Sequence, residues 1–171
     1  VALVTPSAPY PMIAMWDALF SGLNPRIGEA LAEGRGMEAF GLMHRELDAV
    51  WREVRRVLKP GGLLCLNIGD AVRTLGADFA LYPSHARIQT ALLDLGLQAL
   101  PAILWRKPTN APNKFMGSGM LPPGAYVTLE HEYVLVLRKG NKKEFKDAHD
   151  QQLRRESAIF WEERNAWFSD V

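Results

Sequence analysis

Few residues in this sequence combine the type and the spacing that chemistry requires. The single cysteine, Cys65, has no partner for an internal disulfide and cannot build a thiolate metal cage. Four histidines show neither paired metal-ligand spacing nor a pattern with a carboxylate and a nucleophile; they are His44, His85, His131 and His149. No metal site is therefore expected. We expect the histidines to lie at the surface or to support residues that contact a ligand.

Two polar segments follow apolar runs and form the candidate site. Ser7-Ala8-Pro9-Tyr10 comes after the run Val1 to Val4, and its turn-forming residues cannot continue a strand or a helix. Asn67 and Asp70 lie at the end of the apolar run that starts at Leu63. Both segments could also be ordinary turns, the first capping the helix that follows it and the second a Gly-Asp turn.

The helices that would position these segments are predicted from hydrophobic periodicity. Apolar residues at three- to four-residue spacing predict helices from Pro11 to Ser21-Gly22, over Met43 to Val57, from Ser84 to Gly96 and from Gln152 to Trp167. Ser84 can cap the third helix, and Gly96 can end it. Residues 24–41 are interpreted as a loop with at most a short helix around residues 29–33.

Strands are predicted where short apolar runs are bounded by turn residues. They cover residues 63–68, 98–105 and 132–138, in addition to the run that opens the chain. The continuous apolar run at 63–68 indicates a strand buried on both faces, as in a parallel sheet. Pro101 favours a peripheral position for the next strand, and a long loop is expected from Lys107 to Thr128.

The order of these elements predicts an α/β fold, with part of a doubly wound and mostly parallel sheet joined by crossover helices. Ligands bind beyond the carboxyl ends of the strands in such sheets, which would place Ser7 to Tyr10 and Asn67 to Asp70 on one rim. With 171 residues, 48% of them hydrophobic, the chain can bury one core. We expect a main domain over residues 1–140 and a basic segment with a helix over 141–171.

Charge and hydropathy argue against several classes of function. The 20 Lys and Arg residues against 19 Asp and Glu argue against a wholly basic nucleic-acid coat, but they leave room for a local basic face. Charge-free apolar stretches such as residues 61–69 are far shorter than the roughly 20 residues of a membrane span, and no basic segment opens the chain as a leader would. We therefore expect a cytoplasmic protein.

Six short motifs, in this order along the chain, carry a family resemblance. They are Ser7-Ala8-Pro9-Tyr10, Val57-Leu58-Lys59-Pro60-Gly61-Gly62, Leu66-Asn67-Ile68-Gly69-Asp70, Trp105-Arg106-Lys107-Pro108, Glu130-His131-Glu132-Tyr133 and Arg138-Lys139-Gly140. The first resembles the Ser/Asp-Pro-Pro-Tyr signature of DNA methyltransferases that modify exocyclic amines. The resemblance covers most of the chain, and it implies the sheet of an S-adenosylmethionine-dependent methyltransferase whose last strand is antiparallel.

This resemblance implies transfer of a methyl group from S-adenosylmethionine to the exocyclic amine of a base flipped out of double-stranded DNA. The amine is a poor nucleophile because its lone pair is delocalised into the ring, so hydrogen-bond acceptors must localise that pair. By resemblance, the Ser7 hydroxyl and the Ala8 carbonyl are these acceptors, and Tyr10 stacks on the base. Ala8 stands where the family usually has a first proline, so the loop keeps only Pro9 to fix its backbone.

The target and the type of function stay partly open. Serine at the first motif position favours cytosine N4 in a restriction-modification enzyme, whereas adenine N6 enzymes more usually have aspartate. Cys65 lies in a strand expected to be buried, where a thiol is inert, and this disfavours methylation at the ring carbon of cytosine. A noncatalytic DNA-binding or assembly module is the alternative from another class.

The sequence does not assign a cofactor site. Asn67 and Asp70 are weak candidates, and Phe115 to Gly119 looks like the Phe-x-Gly-x-Gly cofactor loop of these enzymes. However, no predicted strand precedes that loop, and Pro122-Pro123-Gly124 follows it. One permuted class of the family has the catalytic region first, so we expect residues 1–140 to be the catalytic half of a methyltransferase domain that lacks its C-terminal cofactor-binding region. The basic segment over 141–171 would then lead into a target-recognition region or into that missing region; a homodimer is also considered.

Basic residues that could contact DNA phosphates lie in two stretches. They are Arg106, Lys107 and Lys114 in and beside the long loop, and Arg138, Lys139, Lys142 and Lys143 at and after the last strand. From Arg138 to Arg155 the chain has seven basic residues against three acidic ones. A solvated run of charge is the alternative for this stretch.

Overall fold

A computed structural model of the chain describes residues 1–107, 129–142, 144 and 148–168. The chain divides into two compact units, Val1–Asn141 and Lys142–Val171. In chain order the strands are β1 (Leu3–Val4), β2 (Leu63–Ile68), β3 (Ala71–Leu75), β4 (Asp78–Tyr82), β5 (Leu97–Ala99), β6 (Ile103–Arg106) and β7 (His131–Lys139). The helices are a short 3-10 helix (Ala14–Trp16), α1 (Asp17–Leu23), α2 (Pro25–Ala32), α3 (Gly36–Val57), α4 (Ser84–Asp94) and, in the second unit, α5 (Ala148–Phe168).

The sheet of the first unit has five strands, in which β2 lies between β1 and β7. Strand β1 pairs with β2 in parallel, while β7 pairs antiparallel with β2, β5 and β6. Four strands therefore run in one direction, and β7 runs against them. This arrangement confirms the predicted mostly parallel α/β sheet with an antiparallel last strand.

Strand β2 buries one face of the sheet and leaves the other partly open. Leu64, Leu66 and Ile68 are buried, whereas the alternating residues Cys65 and Asn67 are half-buried. Successive side chains of a strand point to opposite faces, so the packed helices cover only one of them. The predicted strand is confirmed, but the prediction that both faces are buried is wrong.

Helix α3 supplies much of the core that packs under this sheet. Its apolar residues recur at helical spacing, and Phe40, Met43, Leu47 and Trp51 are buried. The helix confirms the one predicted over Met43 to Val57, but it begins earlier, at Gly36.

Residues 24–41, predicted as a loop, contain α2 and the start of α3. The Asn24 side chain accepts a hydrogen bond from the Arg26 N–H at 3.2 Å, and Pro25 occupies the first helical turn. This cap and this proline start a helix efficiently, and Ile27 and Ala30 bury its apolar face. The loop prediction was wrong because it gave the glycines and prolines of this stretch more weight than the cap.

Two predicted helix starts also differ from the structure. Met12 has φ of +67°, and its buried N–H donates to the Met43 sulfur at 3.4 Å, so helical geometry begins at Ala14 rather than at Pro11. Ser84 is the first residue of α4 and not its cap; its buried hydroxyl has no hydrogen-bond partner in the described part of the chain. Gly96 ends α4 as predicted, with φ of +81°.

The region after β2 differs from the prediction in two places. Strands β3 and β4 form a separate antiparallel hairpin that the sequence did not predict, and Arg73 anchors it to Asp17 through two hydrogen bonds of 2.9 and 2.7 Å. The strand predicted over 98–105 is divided into β5 and β6, because Pro101 lies between them and cannot donate to a strand partner. The predicted loop lies, from Pro108 onward, outside the described residues.

Candidate active site

The turn Ser7-Ala8-Pro9-Tyr10 lies just beyond β1, beside the carboxyl end of β2. Ser7 and Asn67 form a parallel β-bridge, and the Asn67 N–H donates to the Pro6 carbonyl at 3.2 Å. The carboxyl ends of neighbouring parallel strands meet at one edge of a sheet. The two segments singled out in the sequence therefore share one rim, as the predicted α/β fold requires.

The turn presents its polar group to solvent and its apolar group to the core. The Ser7 side chain is exposed, Ala8 is 9% exposed and belongs to the hydrophobic core, and Tyr10 is half-buried. A hydroxyl in this position is accessible to a ligand, while the buried alanine holds the turn against the protein.

The Tyr10 hydroxyl is fixed by two side chains from other strands. It donates to Glu132 Oε2 at 2.9 Å, and it accepts from Asn67 Nδ2 at 2.7 Å. The Asn67 amide also donates to Glu132 Oε2 at 2.9 Å, which closes a triangle of three hydrogen bonds. The sequence reasoning missed Glu132 as a site residue, although the Glu130-His131-Glu132-Tyr133 motif was part of the family resemblance.

Glu132 is a nearly buried carboxylate that keeps its charge. It is 8% exposed, and Lys107 forms an ion pair with its Oε1 atom. Burial acts to raise the pKa of Glu132, but the hydrogen bonds from Lys107, Asn67 and Tyr10 outweigh burial and hold the pKa below its ordinary value. Glu132 is therefore an ionised acceptor at neutral pH.

The same surroundings keep the Tyr10 phenol protonated. Burial and the neighbouring Glu132 carboxylate raise the pKa of Tyr10 to about 12, against the opposing effect of a hydrogen bond with Ser7. At neutral pH Tyr10 is therefore a neutral phenol that donates a hydrogen bond to the Glu132 carboxylate.

Gly69 gives the Tyr10 ring the space it needs. A β-carbon at this position would lie 3.1 Å from Tyr10 Cε2 and 3.3 Å from Glu132 Cγ. Both separations are shorter than ordinary van der Waals contact, so a larger residue would push the ring or the carboxylate away. The glycine of the Gly-Asp segment thus has a packing role inside the site.

Asp70 belongs to a second cluster on the same rim. Its carboxylate accepts from the His85 backbone N–H at 3.0 Å and lies 2.7 Å from His85 Nδ1. The His85 ring stacks on Tyr133 at 3.9 Å, and the Tyr133 hydroxyl lies 3.1 Å from His131 Nε2. Burial and then Asp70 raise the pKa of Tyr133. The Asp70 side chain is 5% exposed and held by His85, so it is a poor ligand for a cofactor.

The two residues singled out as cofactor candidates, Asn67 and Asp70, both contact neighbouring side chains. The Asn67 amide nitrogen donates to Tyr10 and Glu132, and the Asp70 carboxylate contacts His85, whereas the buried Asn67 Oδ1 has no hydrogen-bond partner among the described residues. The Phe115 to Gly119 segment lies outside the described residues. Among the described residues, Asn67 and Asp70 by themselves do not assign a binding site for S-adenosylmethionine.

The predicted DNA-binding residues that the structure describes in the first unit lie at two ends of strand β7. Arg106 is exposed and lies 3.9 Å from Glu130, near Lys107 at the site edge of the sheet. Arg138 donates to Gln98 Oε1, and Lys139 donates to the carbonyls at the end of α3, both at the opposite edge. The Lys142 side chain is exposed, whereas Lys114 and Lys143 lie outside the described residues.

Other chemistry singled out in the sequence finds little support in the structure. Cys65 is half-buried rather than fully buried, and burial raises the pKa of its thiol, which disfavours the reactive thiolate. Among the described residues, no three or more His, Cys, Asp or Glu side chains are grouped as a metal would require. No helix in this part of the chain has the length and the apolar character to cross a bilayer.

Comparison with known proteins gives a consistent assignment. The family model described as DNA methylase, of the N6/N4 class, matches residues 1–171. The chain is 57% identical over 172 residues to the type II methyltransferase M.MthZI of Methanothermobacter thermautotrophicus, and 47% identical over 182 residues to the type II methyltransferase M.MjaI of Methanocaldococcus jannaschii. All of this chain is covered in both comparisons, but only 48% and 59% of the relatives.

The fold agrees with solved structures of a related protein. TTHA0409 of Thermus thermophilus, provisionally assigned as a DNA modification methylase, superposes with a TM-score of 0.60 at 29% identity, over 87% of this chain and 50% of that one. Its complex with S-adenosyl-L-methionine gives 0.58 at 31% identity, over 86% and 50%. The chain thus spans about half the length of the proteins it matches. With the family model covering its whole length, the chain belongs to the amino-directed, N6/N4 class of DNA methylases.

Proposed function

We propose that this chain supplies the target-base side of a type II DNA methyltransferase that methylates the N4 amine of cytosine in double-stranded DNA. One observation carries the proposal: Tyr10 and the exposed Ser7 belong to the same turn, and Glu132 and Asn67 hold the Tyr10 hydroxyl at the rim of the sheet. An acceptor for amine protons and an aromatic ring for stacking are thereby brought together on a fixed frame.

The roles follow from the chemistry of the amine. Ser7 Oγ and the Ala8 carbonyl accept hydrogen bonds from its two N–H groups and direct the lone pair outward, while Pro9 restrains the turn between them and Tyr10. Tyr10 stacks on the flipped base. Holding the amine in line for attack then supplies much of the remaining reduction of the barrier.

S-adenosylmethionine is the proposed methyl donor, and its sulfonium supplies an electrophilic methyl group. The complex of TTHA0409 with S-adenosyl-L-methionine supports this choice. The family model described as DNA methylase supports DNA as the substrate, and the two type II relatives are each longer than this chain. We therefore place the donor's binding site outside the residues described here.

The experiment uses the complete gene product, methyl-labelled S-adenosylmethionine and DNA, followed by digestion of the DNA and identification of the labelled nucleoside. The expected product is N4-methylcytosine, since serine opens the motif. N6-methyladenine would move the assignment to the adenine enzymes. Salt-dependent DNA binding without transfer would instead favour a noncatalytic module.

A further inference from the structure

We propose that Glu132 is a positioning residue that fixes the Tyr10 ring as a rigid platform for the target base, and that Lys107 holds Glu132 in place. The inference rests on the proposed function, because it assigns new roles within the same site. It also changes the role of Lys107, which the sequence predicted as a contact to DNA phosphate.

The first argument is geometric. Tyr10 follows β1, Asn67 lies in β2 and Glu132 lies in β7. Three separate segments are therefore joined by hydrogen bonds between the Tyr10 hydroxyl, Asn67 Nδ2 and Glu132 Oε2. A ring held only at its α-carbon turns about two bonds, and stacking on a base would have to stop that motion. Anchoring the hydroxyl at the far end of the ring removes this cost before the base arrives.

The second argument concerns charge. Burying the Glu132 carboxylate, which is 8% exposed, costs free energy unless the charge is paired. Lys107 pairs with it, and the Asn67 amide donates a hydrogen bond to it. Lys107 lies at the end of β6, beside the first residues of β7, and its backbone N–H donates to the Glu130 carbonyl at 2.8 Å. Strand pairing therefore brings the ammonium to Glu132 whether or not DNA is bound.

The third argument is that no close substitute reproduces the contacts of Glu132. A glutamine amide would present an NH₂ group either to the Lys107 ammonium or to the Asn67 amide, donor against donor. Aspartate is shorter by one methylene and would withdraw its oxygens from Tyr10. The site thus requires an ionised glutamate, and both Glu132→Gln and Glu132→Asp are informative.

The test is a double-mutant cycle in the complete gene product, with Glu132→Gln, Tyr10→Phe and the double variant compared in methyl-transfer kinetics. Tyr10→Phe removes only the hydroxyl, and it serves as the second variant should Glu132→Gln fold poorly. Each single variant is expected to lower kcat by about 10- to 100-fold. The KM for DNA should stay within about threefold, since phosphate contacts dominate binding. The kcat of the double variant should be no more than about threefold below that of the less active single variant.

Glu53→Gln is the matched control, because Glu53 pairs with Arg56 on an exposed face of α3. It should leave kcat unchanged. A wild-type kcat for Glu132→Gln, or losses that multiply in the double variant, would show that Glu132 does not act through the Tyr10 hydroxyl and would overturn the proposal.

A second measurement does not depend on activity. The NMR signal of the ¹³Cζ atom of Tyr10 should titrate at a lower pH in Glu132→Gln than in the wild type, because the variant loses the neighbouring carboxylate while burial continues to raise the pKa of the phenol. Identical titrations would contradict the anchoring role. Absence of methyl transfer by the wild type would contradict the proposed function, whereas the titration separately decides whether Glu132 holds Tyr10.

Discussion

Strand β7 carries charged side chains at both ends, and the two ends have different roles. At its start, Glu132 accepts hydrogen bonds from Tyr10 and Asn67 at the rim of the sheet. At its finish, Lys139 Nζ donates to the carbonyls of Arg55 and Leu58 at 2.6 Å each, at the C-terminal end of α3. One end holds the proposed base platform, while the other completes a helix terminus.

The register of β7 explains this difference. Tyr133 lies opposite Ile68 at the carboxyl end of β2, and Arg138 lies opposite Leu63 at its start. Five residues of strand separate the two positions, or about 17 Å. Basic residues that look equivalent in the sequence are therefore divided between the end of β7 that lies beside the Ser7–Tyr10 turn and the end that lies beside the C-terminus of α3. Variants near Glu132 at the start of β7 should change activity, and variants near Lys139 at its finish should change the free energy of unfolding.

Ser7→Ala gives the largest expected effect. Removing one preorganised hydrogen-bonding group from a site of charge development typically costs about 10²- to 10³-fold in kcat, and the fold should persist because Ser7 is exposed. The measurement is steady-state methyl transfer with a thermal melt of each protein. Ser157→Ala on the exposed surface of α5 is the matched control. Full turnover by Ser7→Ala would remove the serine from the mechanism.

Tyr10→Ala comes next. Stacking of a base on an aromatic ring is worth about 1 to 3 kcal/mol, so capture of the flipped base should weaken by about 5- to 150-fold. The loss should appear in kcat/KM for duplex DNA and should shrink for DNA with a mismatched target base, which leaves the stack more easily. Equal values of kcat/KM for variant and wild type would contradict stacking on Tyr10.

Lowering the pH should reduce the stability of the core through His44 and leave the Glu132 carboxylate charged. Burial, assisted by the charge of Arg87, lowers the pKa of His44 from 6.5 to about 3. The unfolded chain takes up this proton below pH 6.5 and the folded chain does not. The free energy of unfolding should therefore be fully retained above pH 6.5 and fall as the pH decreases, by up to about 1.4 kcal/mol per pH unit.

Urea unfolding between pH 7.5 and 4.5 measures this slope, and His44→Leu should reduce it. The pKa of Glu132 lies below its ordinary value, so the Glu132 carboxylate should keep its charge over the same range. The same slope in wild type and His44→Leu would assign the acid sensitivity to other groups.

Lys139→Met should have the smallest effect. Two helix-terminal carbonyls lose a charged donor, which should lower the free energy of unfolding by about 1 kcal/mol. The kcat should stay within about twofold of the wild type. If Lys139→Met has the stability of the wild type but a reduced salt dependence of DNA binding, Lys139 contacts DNA phosphate instead.

The sequence predicted those parts of the molecule that local patterns determine. The helical stripe of α3 and the apolar run of β2 located both elements, and the ends of adjacent parallel strands correctly placed Ser7 beside Asn67. The hairpin β3–β4 was missed because its short strands carry no strong alternation. Glu132 was missed because it is 122 residues from Tyr10, and only the register of an antiparallel strand brings them together.

The most direct test of the whole account is a crystal structure of the complete gene product with substrate duplex DNA and the demethylated cofactor. The account predicts a flipped cytosine stacked on Tyr10, with its amine within hydrogen-bond distance of Ser7 Oγ and the Ala8 carbonyl, and with Glu132 still bonded to the Tyr10 hydroxyl. A target base bound away from this turn, with Ser7 facing only solvent, would contradict it.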